Sequence, residues 1–388
     1  MKNPVADRVR ELPPYLFAHI DKLKAEARQK GIDLIDFGIG DPDLPTPPHI
    51  IEALASAAAK PEYHRYPSYE GMLRTREAAA RFYARRFAVK LDPAREVLTL
   101  IGSKEGIAHF PLATIDPGDL ALVPDPAYPV YATATQFAGG QVYRYGLLPR
   151  QQFLPDLASI PEDVARRAKV LYVNYPNNPT GGVATLEDYQ RIHDFACRYD
   201  LIVVSDLAYS EMYFEDPAPA SYLQVPGAME RGIEFHSLSK TYNMTGWRVA
   251  FAVGNATLVG ALGKIKTNVD SGVFGAVQEA AIAALDGDQS AVDEMRGIYR
   301  ERRNLLAEGL RAMGLEVHPP RGTFYFFVGL PPGLKAMDLT SRMLTEAGVV
   351  ATPGTGFGQR GEGFIRFALC QPAARIREAC ERLATITL

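Results

Sequence analysis

The stretch SLSKTYNMTGWR, Ser237 to Arg248, sets one lysine among hydroxyls and apolar residues, directly after the strand-like run Ile233-Glu234-Phe235-His236. A lysine at a strand end is most simply an exposed or snorkelling loop residue. If its charge is suppressed by burial or by cationic neighbours, the neutral amine becomes a nucleophile toward a carbonyl, and Schiff-base formation is its natural use. The company of Lys240 favours the second reading. Ser237 offers a hydroxyl and Arg248 a guanidinium, and with backbone amides at a helix start they form a seat for a phosphate dianion.

Working outward, short apolar runs alternate with longer segments of helical period, the pattern of strands joined by helical crossovers. Strands are predicted at Val97–Ile101, Leu120–Val123, Val170–Asn174, Leu201–Ser205, Glu234–Ser237 and Val249–Val253. The fold class is therefore α/β, with a mostly parallel sheet between helices. Each run stops at a polar or glycine-containing turn: GSKEG, PDPAY, NYPNNPTGG, SDLAYS, SLSK and GNA. Ligands of open α/β sheets gather at the carboxyl ends of strands, so chemistry is expected in these turns. After about residue 285 a long charged helical stretch through Met313 leads to an aromatic strand, TFYFFV, and later to GFIRFAL. That change of character predicts a smaller α+β domain over 286–388, a large domain over 36–285, and an arm over 1–35 packing with the small one.

Composition excludes several functions. Of 388 residues, 47% are hydrophobic and 22% charged, and the net charge of −3 comes without a Lys/Arg block, so neither nucleic acid nor an anionic membrane is the expected partner. Cys197, Cys370 and Cys380 lack the spacing of a zinc site or a disulfide frame, which fits a reducing compartment and predicts no metal. The N-terminus has no signal-peptide core, and no run reaches the roughly 18 apolar residues of a membrane span. A soluble, cytoplasmic protein is expected.

The remaining turns add further groups. GSKEG supplies amides with Ser103 and Lys104 for the same phosphate, although a bare helix start would look alike. Asp206 ends the run LIVVSD, where a carboxylate on a buried strand needs a partner: a helix N-terminus, or a cationic ring nitrogen. Tyr209 lies one helical turn on from Asp206, within reach of the hydroxyl edge of the same ring, and the Asn178 amide in NYPNNPTGG can donate to a phenolate oxygen. Tyr128 presents a flat face for ring stacking, although a lone tyrosine more often packs in a core. Arg366 sits inside an otherwise apolar strand and must pair with an internal carboxylate or with that of a substrate.

These segments, with the GIGDPDLPTP loop, resemble the class I/II pyridoxal-phosphate aminotransferases of fold type I, in order and spacing over nearly the whole chain. The resemblance implies a large domain with a seven-stranded sheet and pyridoxal 5'-phosphate as cofactor. Lys240 would form the internal aldimine and shuttle the proton. Asp206 would pair with the pyridine nitrogen, Asn178 and Tyr209 with the ring oxygen, and Tyr128 would stack on the ring. Ser103, Lys104, Ser237 and Arg248 would hold the phosphate, joined by Tyr66 of a neighbouring subunit, so a homodimer with shared sites is implied. Arg366 would bind the substrate α-carboxylate, with Gly40 and Asn178 nearby. Turnover would be ping-pong with a 2-oxo acid such as 2-oxoglutarate. LPPYLFAHIDKLKAEA, FGIGDPDLPTP and TPGTGFGQRGEGFIRFAL look most like the LL-diaminopimelate aminotransferase group of lysine biosynthesis, in which the residue matching Tyr15 lines the substrate site. In plant-type members a partner glutamate reads the distal end of the substrate; the matching position is Tyr69, with Glu70 beside it. Aspartate, alanine and aromatic donors therefore stay open, as does a C–S lyase or decarboxylase on the same scaffold.

Other classes fit less well. GIG at 38–40 and GTGFG at 354–358 lack the strand–GxGxxG–helix context of a dinucleotide site, and GSKEG is not a GxxxxGK[ST] loop. A pyridoxal-phosphate sensor without catalysis would carry a fused DNA-binding module, for which there is no room before Tyr15.

Overall fold

The computed structural model describes residues 4–10, 12 and 16–388. Strand β1 (Ile35–Asp36) precedes seven strands that make one sheet: β2 (Val97–Leu100), β3 (Leu120–Asp125), β4 (Gln141–Gly146), β5 (Ala168–Asn174), β6 (Ile202–Asp206), β7 (Gly232–Ser237) and β8 (Ala250–Gly254). Then come β9 (Tyr325–Gly329), β10 (Val349–Val350), β11 (Thr352–Pro353) and β12 (Phe364–Ala368). The large sheet runs β2-β8-β7-β6-β5-β3-β4, with β8 antiparallel to both neighbours and the other pairs parallel. The mostly parallel α/β sheet expected from the sequence is present.

Alternating side chains bury both faces of the sheet, as parallel strands require. Val170 and Tyr172 join Leu98, Leu100 and Phe235 in a core under the helix Ser103–Thr114. Leu171 and Val173 join Val203 and Phe251 in a core with Tyr83 and Ile192. Six of the seven strands match the predicted runs to within a few residues. The seventh, β4, was not predicted: QVYRYG is an edge strand whose first four residues are exposed or half-buried, so it lacks the apolar run that marks its neighbours.

Strands β11, β12 and β9 form a separate antiparallel sheet, flanked by the helices Ser290–Ala312 and Ala373–Leu383, which pack on one another. Strand β1 pairs in parallel with β10. The loop after β1 is therefore tied to the C-terminal sheet: Ala368 N donates to Phe37 O at 2.7 Å and Thr352 Oγ1 to Gly38 O at 3.1 Å. Among the described residues, no helix is long and apolar enough to cross a membrane.

Candidate active site

Register places the polar strand ends side by side. Asn174 is opposite Asp206, and Asp206 is opposite Phe235, two residues before Ser237. Asp206 is 5% exposed. Its Oδ2 accepts from Tyr131 Oη at 2.7 Å and its Oδ1 from Ala208 N at 3.2 Å. Burial pushes its carboxyl up to about 6, against the pull of those two donors. The helix-cap alternative fails because a non-helical turn follows, so Tyr209 is reached through that turn and not along a helix. Among the described residues, no cationic side chain pairs with Asp206.

Lys240 belongs to the short helix Leu238–Thr241, which Ser237 caps by accepting from Ser239 N at 3.2 Å. The Lys240 ammonium donates to Gly40 O at 3.2 Å and lies 5.5 Å from the centre of the Phe324 ring. Burial, seconded by the Arg248 and Arg366 charges, holds its amine below the usual lysine range. The loop carrying Gly40 is fixed by Arg302, which forks onto both Asp43 oxygens at 2.6 and 2.8 Å.

Arg248 is exposed. Its Nη1 donates to Thr245 O at 2.8 Å, and its Nη2 reaches toward Ile101 O. Gly102 faces it with φ of +84°, and a Cβ there would run into Arg248 Nη2, so the turn at 102–104 needs its glycine. Ser103 and Lys104 open the helix Ser103–Thr114. Lys104 Nζ lies 6.0 Å from the Tyr128 ring centre, and Tyr128 meets Tyr131 edge-on at 5.9 Å.

Arg366 is 4% exposed, between the Tyr325 ring at 4.2 Å and the Phe357 ring at 4.5 Å. Its Nη1 donates to Asn178 Oδ1 at 3.1 Å and its Nη2 to Gly38 O at 2.8 Å, while Nε is buried without a partner among the described residues. No internal carboxylate pairs with it among the described residues, which removes one of the two readings of this arginine. Asn178 N donates to Asn174 Oδ1 at 2.9 Å, and Asn174 Nδ2 to Asp206 O at 2.8 Å. Tyr209 Oη donates to Tyr325 Oη at 3.3 Å. Contacts thus run unbroken from Lys104 through Tyr128, Tyr131, Asp206, Asn174 and Asn178 to Arg366 and the Gly38–Gly40 loop under Lys240.

Three predicted residues stand apart. Tyr66 is 90% and Tyr69 47% exposed, and Glu70 faces Arg76 at 3.6 Å. Tyr15 lies outside the described residues. Conversely, Tyr131, Asn174, Tyr325 and Phe357 belong to the cluster and were not singled out from the sequence.

The family model for aminotransferase class I and II matches residues 32–383. The chain belongs to this family. It is 58% identical over 382 residues to an LL-diaminopimelate aminotransferase of Syntrophobacter fumaroxidans, covering 98% of each chain. It is 54% identical to the protein of that name in Aquifex aeolicus, covering 99% of each. Among solved structures, substrate-bound BacF from Bacillus subtilis superposes with a TM-score of 0.95 at 35% identity, covering 100% of this chain and 98% of that one. An aspartate aminotransferase double mutant of Thermus thermophilus gives 0.92 at 31% identity, covering 98% and 99%. The aminotransferase is thus a fold type I, pyridoxal-phosphate-dependent enzyme. Its residues fit that cofactor: a buried carboxylate with no cation among the described residues answers a pyridine nitrogen, a half-buried amine of lowered basicity answers an aldehyde, and the Gly102–Arg248 turn answers a phosphate.

Proposed function

We propose that this aminotransferase takes the amino group of LL-2,6-diaminopimelate and passes it to 2-oxoglutarate, a step of lysine biosynthesis, in ping-pong fashion. The observation that carries the reading is identity above 50%, end to end, to relatives bearing that activity in their names. A cytoplasmic homodimer with shared sites is part of the proposal; exposed Tyr66, far from filling its own site, supports it. So is the division into an arm (1–35), a large domain (36–285) and a small domain (286–388); the β1–β10 pairing supports the packing of the arm on the small domain.

When bound, pyridoxal phosphate supplies an aldehyde carbon that takes the amino group and a pyridinium ring that stores the electron pair of the broken Cα–H bond. Lys240 would hold the cofactor at that carbon and, once free, would move the proton at the substrate Cα. Burial keeps a larger fraction of its amine neutral for both tasks. Asp206 would accept from the ring nitrogen and keep it protonated. Asn178 and Tyr209 would address the ring oxygen, and Tyr128 would cover the ring face. Ser103, Lys104, Ser237, Arg248 and Tyr66 of the partner subunit would seat the phosphate. Arg366 receives the α-carboxylate of donor and acceptor alike, beside Gly40 and Asn178, while Tyr15, Tyr69 and Glu70 meet the distal end.

Purified enzyme is mixed with LL-diaminopimelate and 2-oxoglutarate and glutamate is assayed, with aspartate, alanine and phenylalanine as parallel donors. Glutamate from diaminopimelate in excess of the others is expected. Turnover of another donor alone would sink the substrate and favour the second reading, a small or aromatic donor, to which the tyrosine at position 69 points.

A further inference from the structure

Behind the phosphate turn lies a charged cluster that the reaction does not use. Lys266, the last residue of the helix Ala256–Lys266, is fully buried. Its ammonium donates to both Asp270 oxygens at 2.7 and 2.9 Å and stands 3.7 Å from Glu105 Oε2. Glu105 occupies the first turn of the helix Ser103–Thr114 and reaches back, its Oε2 accepting from Ile101 N at 3.0 Å. Its other oxygen meets His109 Nδ1 at 2.9 Å. Asp270 Oδ1 also accepts from Gly272 N at 2.8 Å, and Gly272 packs so closely on Ser68 O that a Cβ would sit 2.6 Å from it.

Glu105 therefore does two opposed things. Its acceptor oxygen shapes the turn Ile101–Lys104, yet its negative charge lies in the same helical turn that is to receive a phosphate dianion, where a like charge is unfavourable. A second carboxylate, Asp270, stands close by: ligand atoms of Glu105, His109 and Asp270 all lie within 4.8 Å of one another. A cation fixed between them removes the conflict, and a buried one is screened little by salt.

We propose that Lys266 is a positioning residue for the cofactor phosphate: it cancels the Glu105 charge behind the 102–104 turn and clamps that turn to the 268–272 segment. The proposal rests on reading this turn as the phosphate seat. Removing the ammonium leaves two facing carboxylates behind the seat, so the loss falls on ligands that carry phosphate and spares those that do not.

The test is absorbance titration of cofactor-free enzyme with pyridoxal 5'-phosphate and, separately, with pyridoxal. Lys266→Met is expected to bind the phosphate ester about tenfold more weakly, with pyridoxal changed by less than about twofold, and Lys266→Arg to restore wild-type binding. Glu105→Gln, which keeps an acceptor for Ile101 N and deletes the charge, is expected to bind the phosphate ester at least as tightly as wild type. Equal weakening of both ligands in Lys266→Met, or no weakening of either, overturns the proposal. Should Lys266→Met not fold, Glu105→Gln decides alone: looser binding of the ester than wild type overturns it. Wild type that bound neither ligand would instead refute the seat itself.

Discussion

The sharpest test of the site is Arg366→Lys, which keeps the charge and removes the fork. The guanidinium carbon lies 4.2 Å from the Tyr325 ring centre and 4.5 Å from that of Phe357, and its hydrogen bonds to Asn178 and Gly38 fix its rotation. Buried Nε and the remaining terminal N–H groups are left for a carboxylate, and a guanidinium presents them in parallel. A lysine ammonium offers a point charge, so the variant loses one charge-assisted hydrogen bond and the stacking. That loss is worth about 2–3 kcal/mol. The contact exists in the ground state as well as the transition state, so KM should carry most of a roughly 30- to 150-fold drop in kcat/KM. The assay is steady-state kinetics with the amino-acid donor, beside single-turnover deamination of the corresponding amine without its α-carboxylate. A drop below about threefold, or an equal drop for the amine, would refute the assignment of Arg366 to the carboxylate.

Two further outcomes follow from burial and backbone. In cofactor-free enzyme the Asp206 carboxyl is raised to about 6 by burial, so the stabilisation from its bound proton is complete below about pH 4 and lost as pH rises through about 6, leaving a penalty of about 2–3 kcal/mol at pH 7.5. Asp206→Asn should therefore melt a few degrees above cofactor-free wild type at pH 7.5, with the difference shrinking toward pH 4.5, while binding pyridoxal phosphate more weakly; a variant no more stable at pH 7.5 contradicts this. Gly102→Ala puts a Cβ against Arg248 Nη2 at a φ of +84°, and strain of about 1–3 kcal/mol should appear as weaker binding of the phosphate ester in the same titration, an unchanged affinity being the contrary result.

The strand ends were legible because each buried run stops at a turn of unusual composition, and a lysine, an aspartate and an asparagine at such ends are conspicuous. The side chains that tune them were not. Tyr131 lies three residues after Tyr128 in PDPAYPVY and reads as ordinary packing until the pairing of strands puts it against Asp206. Tyr325 and Phe357 flank Arg366 because β9 and β12 pair with Arg366 opposite Phe327, and because the 354–358 segment folds back over the strand end. The contacts of Tyr131 and Tyr325 join residues far apart in the chain, and register between distant strands leaves no local trace in either segment; Phe357 is near Arg366 in sequence, but its segment gives no sign of folding back over the strand. Strand β4 escaped for the opposite reason: an edge strand half in solvent has little apolar signal to read.

Away from the strand ends, buried charge is paired with an opposite charge or saturated with hydrogen bonds. Lys266 meets Asp270, Arg302 forks onto Asp43, and Glu234, three residues before Ser237 on β7, accepts from Tyr83, Ser205 and Ser221 hydroxyls and from Tyr222 N. At the carboxyl edge, among the described residues, a carboxylate has two donors and no cation, a guanidinium no carboxylate, and an amine a lone carbonyl. An unpaired buried charge is costly, and a sequence able to satisfy Glu234 fourfold could have satisfied Asp206 too. The three unmet needs are a cation, an anion and an electrophilic carbon, lying along one chain of contacts. In the proposed function a pyridinium aldehyde and an amino acid meet all three at once. The cost of folding an incomplete site is thereby returned as ligand binding, directed at the groups that must stay oriented while the proton moves.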